Sequence, residues 1–429
     1  MLPLKLAGRF AGLFFLLLGL GLSSCDTLDD MISVEAPSVV AAQDLDHPAN
    51  ADLLVNSAVN DFRCALVHFI GAGAYVGMEW GVGADLGGSS WVWYDNRVFE
   101  PFGWTAMYAS GDCSGVAPNV YEPLSTARYM ADDALRRLDE WGDQVPNNTD
   151  LTATAAAFAG YSLTLLGESM CSGAIDLGPE MFPDDFFTAA QERFNRAIAA
   201  AGQVGDSEIQ NLARVGLARA LLNLGLPSEA SSVASQVPEG FSYDFTYSGT
   251  DASTENKLFV LMERELMATV DVPYRNMTFQ GQPDPRLGVF NTGLLGPSTD
   301  IEMWATTKYS GIDSPVQVAS WEEAQLIVAE AALESGQLQQ AVDIINTLHG
   351  KVDLPEFTSN NATEIRAQLI YERSAELFLE GQHQQDLERF NLPLYPAPGA
   401  PAYHGGSFSD QICFPLPEVE YLNNPNINR

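Results

Sequence analysis

The sequence predicts a mostly α-helical protein, in which a scaffold of helical repeats carries long loop-rich insertions. Three observations lead to this prediction. Apolar residues recur with the period of an α-helix in five stretches, residues 50–70, 120–141, 149–170, 185–237 and 320–349. Two of these stretches share one spacing of small residues. The segments between them are rich in aromatic and loop-forming residues and comprise 71–118, 238–319 and 391–412.

The shared spacing indicates a repeated pair of helices. Two alanines flank a glycine at the same intervals in both stretches, namely Ala218, Gly225 and Ala230, then Ala329, Gly336 and Ala341. Small residues let two antiparallel helices approach closely, and the glycine ends the first helix. Ser320 followed by Glu323 predicts a capping box at the start of the second copy. This is the helix–turn–helix pattern of the tetratricopeptide repeat, expected near 120–237 and 320–349.

Residues 1–24 predict a lipoprotein signal peptide. A positively charged start precedes an apolar stretch that is too short to span a bilayer as a helix, which needs about 20 residues. Small residues then lead to Cys25, as in a bacterial lipobox, so we expect cleavage before Cys25 and acylation of its thiol. An ordinary secretory signal is the alternative. The acidic, proline-bearing residues 25–50 predict a lipid-anchored tether, and 51–429 predict a single domain.

Four further cysteines, Cys64, Cys113, Cys171 and Cys413, lie in a chain predicted to leave the cytoplasm. An even number of cysteines in such a chain predicts two disulfides. Four cysteines can pair in three ways, and the sequence does not distinguish between them. Buried free thiols are the alternative. Since no two cysteines have CxxC spacing, the sequence does not support a zinc site.

The charge of the chain excludes one class of partner. It has 56 acidic and 21 basic residues, a formal net charge of −35 at pH 7. The acidic residues are spread along the chain without a block of like charge, which indicates a solvated surface and not an acidic tail. Nucleic acids and anionic lipid surfaces bind basic patches, so we expect neither as a partner.

No sequence motif of catalysis or cofactor binding is present. The chain lacks G-x-S-x-G, H-E-x-x-H, P-loop and EF-hand patterns. Its two glycine-rich runs are one residue longer than the dinucleotide fingerprint, and its five histidines lack ligand spacing. We therefore predict no cofactor, no metal site and no enzymatic activity. A hydrolase stays an alternative, because the carboxylate pair of a glycosidase is defined by distance in space.

Aromatic residues in the insertions predict a ligand face. In the stretch "GSSWVWYDN", an extended chain would point Trp91 and Trp93 to one side and Tyr94 to the other. Aromatic rings can cover the flat C–H faces of sugars. In the second insertion Trp304 and Tyr309 are the corresponding candidates. Packing between loop and helices is the alternative for the first three residues. Core positions are expected for Trp80, Trp104 and Trp321.

Two features near the C-terminus predict structural contacts. Glu372, Glu376 and Glu380 are four residues apart, so their carboxylates would share one face of a helix, with Arg373 able to pair with Glu376. We expect these acids to hold the helix against the repeats, with cations supplied from elsewhere. The closing "FPLPEVEYLNNPN" contains prolines that disfavour a helix and predicts an extended strap.

These C-terminal segments resemble the SusD/RagB-like family. In "YERSAELFLEGQHQQDLERF", nine residues match the family pattern ER-x-x-EL-x-x-EG-x-R-x-x-DL-x-R, namely Glu372, Arg373, Glu376, Leu377, Glu380, Gly381, Asp386, Leu387 and Arg389. The strap resembles the family ending I-P-x-x-E-x-x-x-NP through Pro417, Glu420, Asn424 and Pro425. His383 and Gln384 differ from the family, which has a basic residue and an aromatic there.

The resemblance implies a cell-surface lipoprotein, anchored in the outer membrane and facing the exterior. Family members cover a SusC-like TonB-dependent β-barrel transporter, capture oligomeric nutrients such as oligosaccharides or peptides, and deliver them to it without catalysis. In this chain the insertions near 71–118 and 238–319 would form the ligand face. A tetratricopeptide adaptor for protein partners is the first alternative, and a secreted hydrolase is the second.

Overall fold

The computed structural model describes residues 46–84, 94, 96–101, 103, 106–402 and 405–427. Its first helices are α1 (Ala51–Val76), α2 (Tyr121–Trp141), α3 (Asn148–Ser169), α4 (Pro183–Val204), α5 (Ser207–Asn223), α6 (Pro227–Ala234) and the short α7 (Lys257–Phe259) and α8 (Val272–Arg275). The remaining helices are α9 (Trp321–Glu334), α10 (Leu338–Lys351), α11 (Ala362–Glu376), α12 (His383–Arg389) and α13 (Glu418–Asn423). The predicted helical class is confirmed. The predicted signal peptide, Cys25 and most of the predicted tether lie outside the described residues.

Helix α1 is the central helix of the scaffold and packs against α2 and α3. Every residue from Cys64 to Val76 is buried, as expected for a helix that is apolar on all sides. The helix includes the first six residues of the predicted first insertion, 71–76. Gly71 and Gly73 lie within the helix, where the absence of a side chain lets a neighbouring residue pack closely. A Cβ added to Gly71 would lie 3.3 Å from Pro118, and a Cβ added to Gly73 would lie 3.3 Å from Gln384.

The two predicted helix pairs are present as α5–α6 and α9–α10. The four alanines of the shared spacing, Ala218, Ala230, Ala329 and Ala341, are fully buried. Gly225 and Gly336 separate the helices of each pair with φ values of 71° and 76°, a left-handed conformation that favours glycine. At the start of α9 the Glu323 amide donates to Ser320 Oγ over 3.0 Å, which is the expected N-cap bond.

The second insertion contains strands as well as loops. Within the described residues the strands form four antiparallel pairs, with β1 (Trp80–Val82) on β3 (Ala268–Val270), β2 (Ser242–Phe245) on β8 (Val316–Ser320), β4 (Thr278–Phe279) on β5 (Gln282–Pro283), and β6 (Val289–Leu295) on β7 (Glu302–Thr306). In the register of the last pair, Asn291 lies opposite Trp304. The β2–β8 pair leads directly into α9, so the insertion is joined to the repeat scaffold by backbone hydrogen bonds.

The acidic face of α11 is neutralised by cations from the second insertion, as predicted. Arg286 Nη1 lies 2.7 Å from Glu372 Oε2 and 3.1 Å from Glu376 Oε2. Lys308 Nζ lies 2.7 Å from Glu380 Oε1. Because α11 ends at Glu376, Glu380 belongs to the turn that follows. These pairs fix the insertion against the C-terminal helices.

The predicted pairing of Arg373 with Glu376 is wrong. The Arg373 guanidinium donates instead to Asp386 Oδ2 on α12, over 2.7 Å, and both side chains are buried. The turn after α11 brings α12 back beside it, so a partner from the next helix replaces the one on the same helix. The pair therefore joins α11 to α12.

The four cysteines form the two disulfides Cys64–Cys113 and Cys171–Cys413. This is one of the three connectivities that the sequence allows. The first bridge joins α1 to the loop before α2. The second joins the end of α3 to the segment before α13, across 242 residues of sequence.

The closing segment contains a short helix, α13, so the extended strap that the prolines predicted is wrong for Glu418–Asn423. Pro417 is the N-cap of α13, a position that needs no helical amide hydrogen, so it starts the helix and does not break it. Tyr121 donates its hydroxyl hydrogen to Glu420 Oε1 over 2.8 Å. Asn424 Nδ2 donates to the Gly178 carbonyl over 2.8 Å, so the segment is bound to α2 and to the loop after α3.

The described residues from 48 onward form one compact unit. None of the helices that the structure describes has the length and apolar content needed to cross a membrane.

Candidate functional site

Two of the five predicted ligand residues, Trp91 and Trp93, lie outside the described residues, as does Trp104. The chain on both sides of them is held by long-range contacts. Before them, the Gly83 carbonyl accepts from Thr299 Oγ1 over 3.0 Å. After them, Asn96 Nδ2 donates to the Gly405 carbonyl over 2.9 Å. The predicted ligand segment therefore begins and ends at defined places in the fold.

Tyr94 is a core residue, and its prediction as a ligand residue is corrected. Its side chain is fully buried, and its hydroxyl donates to the Pro118 carbonyl over 2.6 Å. The ring contacts Tyr75, Phe99 and Phe414 with centroid distances of 5.8, 5.5 and 6.0 Å. Burial raises the pKa of this tyrosine far above its usual range. A ring with a satisfied hydroxyl and aromatic neighbours leaves no face for a ligand.

Tyr309 is corrected for the same reason. It is fully buried, and its hydroxyl donates to the Leu379 carbonyl over 3.0 Å. Beside it, Lys308 binds Glu380, so the two residues together hold the turn after α11. Trp80 and Trp321 are buried, as expected.

Trp304 is the predicted ligand residue that stays partly exposed on β7. The Arg275 guanidinium lies over its ring, 5.4 Å from the centroid, and Arg275 Nε donates to the Val270 carbonyl over 2.7 Å. Trp304 Nε1 is buried and has no hydrogen-bond partner among the described residues. On the paired strand β6, the apolar side chains of Phe290, Leu294 and Leu295 are exposed. The β6–β7 hairpin therefore exposes aromatic and apolar side chains.

A cavity of about 430 Å³ lies beside the segment that follows Trp93. Its lining is mostly apolar and aromatic and comprises Gly77, Met78, Arg97, Pro273, Tyr274, Met277, Ile370, Tyr371, Ser374, His383, Leu387, Leu392, Pro393, Leu394 and Tyr395. Its volume falls within the range of about 300–1,000 Å³ that is typical of small-ligand sites. Arg97 lines this cavity four residues after Trp93, and α8 places Tyr274 in the cavity and Arg275 over Trp304.

Arg97 fixes the wall of the cavity. Its guanidinium donates to the carbonyls of Ser409, Tyr395 and Pro396 over 3.0, 3.1 and 2.6 Å. Each of the three guanidinium nitrogens donates to one carbonyl, so the side chain holds the segment that carries Tyr395 in place. Tyr395 itself is 48% exposed and can present its ring to a ligand.

His383 supplies a polar group to the cavity. Burial lowers the pKa of its imidazole, so the ring is neutral at neutral pH. Its Nδ1 has no hydrogen-bond partner among the described residues. The ring meets Tyr274 edge-on with a centroid distance of 5.9 Å. Aromatic faces beside a neutral hydrogen-bonding group suit a ligand that has both C–H faces and hydroxyls.

Sequence reasoning did not identify Arg97, Tyr274, Arg275 or Tyr395. A usable signal existed for Arg97, the only basic residue close to the tryptophan pair in sequence. The other three come from distant segments that only the fold brings together. Across the described residues, no group of three or more His, Cys, Asp and Glu side chains is arranged to hold a metal ion.

The C-terminal sequence matches a known family. Residues 323–425 match the family model described as the SusD family. This range holds α10–α12, most of α9, all of α13, and the Glu372, Arg373 and Asp386 contacts described above. No curated protein matches the sequence.

Several solved structures share the fold. A SusD superfamily protein from Parabacteroides distasonis ATCC 8503 has a TM-score of 0.66 at 12% identity, covering 91% of this chain and 99% of its own. A laminarin binding SusD-like protein has a TM-score of 0.64 at 15% identity, covering 89% and 98%. Surface glycan-binding protein A from Bacteroides thetaiotaomicron has a TM-score of 0.61 at 12% identity, covering 88% and 97%. Residues 323–425 thus match the SusD family, and the chain around them shares the fold of solved SusD-like proteins.

Proposed function

We propose that this protein is a cell-surface lipoprotein that binds oligosaccharides and delivers them to a SusC-like TonB-dependent β-barrel transporter. The ligand face comprises the 430 Å³ cavity, the segment with Trp91 and Trp93, and Trp304 on the β6–β7 hairpin. The observation that carries this proposal is the position of the cavity, directly beside the fixed end of the tryptophan segment.

The chemistry of the face favours a carbohydrate. Tyr274, Tyr371 and Tyr395 line the cavity, and His383 and Ser374 add neutral polar groups. Sugars offer flat C–H faces to aromatic rings and hydroxyls to polar groups. Two relatives of the same fold are described as laminarin binding and as glycan-binding, which supports the same ligand class here.

We expect the affinity to be modest. Two rings that cover about 200 Å² of ligand contribute about 5 kcal/mol at roughly 25 cal/mol/Å². Association costs about 4 kcal/mol or more in lost translational and rotational freedom. Binding at micromolar or weaker dissociation constants follows. This strength suits a protein that must release its ligand to a transporter, and binding of this kind requires no catalytic step.

The ligand class is tested by calorimetric titration of the full chain with a panel of oligosaccharides, laminarin fragments included, and with peptides of similar size. Trp93→Ala, Trp304→Ala and Tyr395→Ala should each weaken binding about tenfold, the equivalent of about 1.4 kcal/mol, with little change in melting temperature. Tyr129→Ala, an equally exposed tyrosine on α2, is the matched control. Binding of peptides alone would overturn the carbohydrate assignment, and release of shortened products would overturn the non-enzymatic one.

The anchor and the partner need separate tests. Cys25→Ala should release the secreted protein from the membrane fraction, because the acylated thiol would be lost. Retention of the variant in that fraction would contradict a lipid anchor. Purification through an affinity tag on the wild-type chain should recover a large β-barrel receptor. Recovery of a helical or peripheral partner without a barrel would favour a tetratricopeptide adaptor.

A further inference from the structure

We propose that a second cavity, at the start of α2, is a docking site for a segment of a partner protein that presents apolar side chains flanked by lysine or arginine. The cavity has a volume of about 820 Å³, and its four walls come from α2, from described residues between 101 and 110, from residues 174–177 and from residues 417–420. It shares no lining residue with the 430 Å³ cavity. The proposal therefore does not rest on carbohydrate binding.

The walls of this docking cavity are fixed in place. The Cys171–Cys413 disulfide joins the chain just before one wall to the chain just before another. Tyr121, at the first position of α2, donates its hydroxyl hydrogen to Glu420 Oε1 and also accepts from the Ala174 amide over 3.1 Å. Three of the four walls meet at this one hydroxyl. A cavity held by covalent and buried polar contacts is preformed, which lowers the ordering cost of binding.

The docking cavity carries unusually exposed apolar side chains. Tyr129 is 54% exposed, Leu177 is 56% exposed and Val419 is 48% exposed, and they come from three different walls. Single exposed apolar residues are common on protein surfaces, whereas several around one concavity mark an interaction site. Aliphatic side chains of a partner would remove this surface from water.

The charge of the lining is negative. Four carboxylates line the cavity, Glu122, Asp176, Glu418 and Glu420, and Arg128 is the one basic residue among the described lining residues. Arg128 Nη1 lies 2.9 Å from Asp176 Oδ1, so the charge of this arginine is neutralised within the protein. Glu122 and Glu420 accept hydrogen bonds from the neutral Gly111 amide and Tyr121 hydroxyl. Apolar walls focus the remaining negative field on a bound cation.

Two buried polar atoms in the lining also point to a ligand. Arg128 is buried, and its Nε has no hydrogen-bond partner among the described residues. Ser125 Oγ lies one helical turn earlier on the same face of α2. It too is buried and has no hydrogen-bond partner among the described residues. Buried donors in proteins are nearly always paired. Backbone carbonyls of a bound segment would supply the acceptors.

A protein segment fits this cavity better than a neutral sugar. A sugar would cover the Tyr129 ring but would gain nothing from the excess of carboxylates. A lysine or arginine side chain is attracted both to the face of the Tyr129 ring and to the carboxylates of the lining. The aliphatic lining matches the apolar residues beside that cation.

The test measures binding of three fluorescein-labelled nonapeptides to the full chain by fluorescence anisotropy. One peptide alternates lysine with leucine, the second lysine with serine, and the third glutamate with leucine. The first should bind about fivefold or more tightly than the second, and the third should not bind. Tyr129→Ala should reduce the affinity for the first peptide to that for the second.

A paired change tests the charges. The double variant Glu122→Gln with Glu418→Gln keeps an acceptor for the Gly111 amide but should weaken binding and reduce its dependence on salt. Tyr395→Ala and the double variant Glu229→Gln with Glu334→Gln are matched controls, with equal exposure or equal charge change outside the cavity, and should bind as the wild type does. All variants are compared by circular dichroism melting.

Three outcomes would overturn the proposal. Equal affinity for the lysine–leucine and lysine–serine peptides, or unchanged affinity in Tyr129→Ala, would show unspecific attraction of cations to an acidic protein. Weakened oligosaccharide binding in Tyr129→Ala, without peptide binding, would instead assign the cavity to carbohydrate.

Discussion

Arg286 lies 2.7 Å from Glu372, and this one guanidinium neutralises a carboxylate that is completely buried between the second insertion and α11. The same guanidinium binds Asp284 over 2.6 Å. On its other side, Glu372 Oε1 lies 2.6 Å from His349 Nε2. The insertion, the repeat helix α10 and helix α11 thus meet at one carboxylate.

Arg286→Met should destabilise the protein by about 3–5 kcal/mol, because it leaves the carboxylates of Asp284 and Glu372 buried without their cation. The loss is measured as a change in the free energy of unfolding in urea. Arg136→Met is the control, since its guanidinium is 53% exposed and its ion pairs should contribute less than about 1 kcal/mol. Equal losses in the two variants would contradict the structural role of Arg286.

Tyr94→Phe should cost about 1–3 kcal/mol of stability, because the Pro118 carbonyl would be left buried without its donor. Oligosaccharide binding should be unchanged, since the Tyr94 ring faces the core. Thermal melting and calorimetric titration of the same preparation check both statements. Weaker oligosaccharide binding by a Tyr94→Phe variant of wild-type stability would show that Tyr94 contacts the ligand.

The contribution of Glu79 to stability should fall as the pH rises from about 4.5 to about 7. Burial raises the pKa of Glu79 to about 7 from 4.5, so the folded state binds the proton more tightly than the unfolded state does. The stabilisation is complete below pH 4.5 and is lost as the pH passes through 7, amounting to about 3 kcal/mol at most. Glu79→Gln stays neutral and keeps an acceptor for the Leu379 amide.

Urea unfolding between pH 5 and pH 8 measures this effect. The Glu79→Gln variant should show a flatter dependence on pH than the wild type and should be the more stable protein at pH 8. The exposed Glu334→Gln serves as the control, and its curve should run parallel to that of the wild type. Parallel curves for all three proteins would refute the assignment to Glu79.

Replacing Cys171 and Cys413 by serine should lower stability by about 2–5 kcal/mol, because the bridge restricts a long stretch of the unfolded chain. Affinity for the lysine–leucine peptide should fall as well, since the bridge ties two walls of the docking cavity. Reductant should destabilise the wild type further than the double variant, which keeps only Cys64–Cys113. An unchanged melting temperature in the double variant would contradict a stabilising role.

Local patterns predicted the helices and much of their packing. The alanine and glycine spacing around Gly225 and Gly336 predicted both helix pairs, because helix contacts and left-handed turns depend on nearby residues. The same local rules failed where a distant neighbour decides the conformation. Gly71 lies within a helix because Pro118 packs against it, and Pro417 starts a helix because its N-cap position requires no amide hydrogen.

The proposed ligand face was predictable only in part. Aromatic composition directed attention to two insertions, but Tyr94 and Tyr309 are core residues whose hydroxyls reach backbone carbonyls far along the chain. The cavity is lined by segments that are hundreds of residues apart, from Met78 to Tyr395. No periodicity or spacing relates such positions, so the cavity emerges only with the fold.

The Cys171–Cys413 bridge also sets an order of events in the proposed export of the chain, which would begin at the N-terminus. Cys64 can find Cys113 once about a quarter of the polypeptide has emerged. The thiol of Cys171 stays free until Cys413, close to the C-terminus, has crossed the membrane. The end of α3 and the walls around Tyr121 are therefore completed last, and a truncated product of export would carry one reactive cysteine where the finished protein has a closed covalent ring.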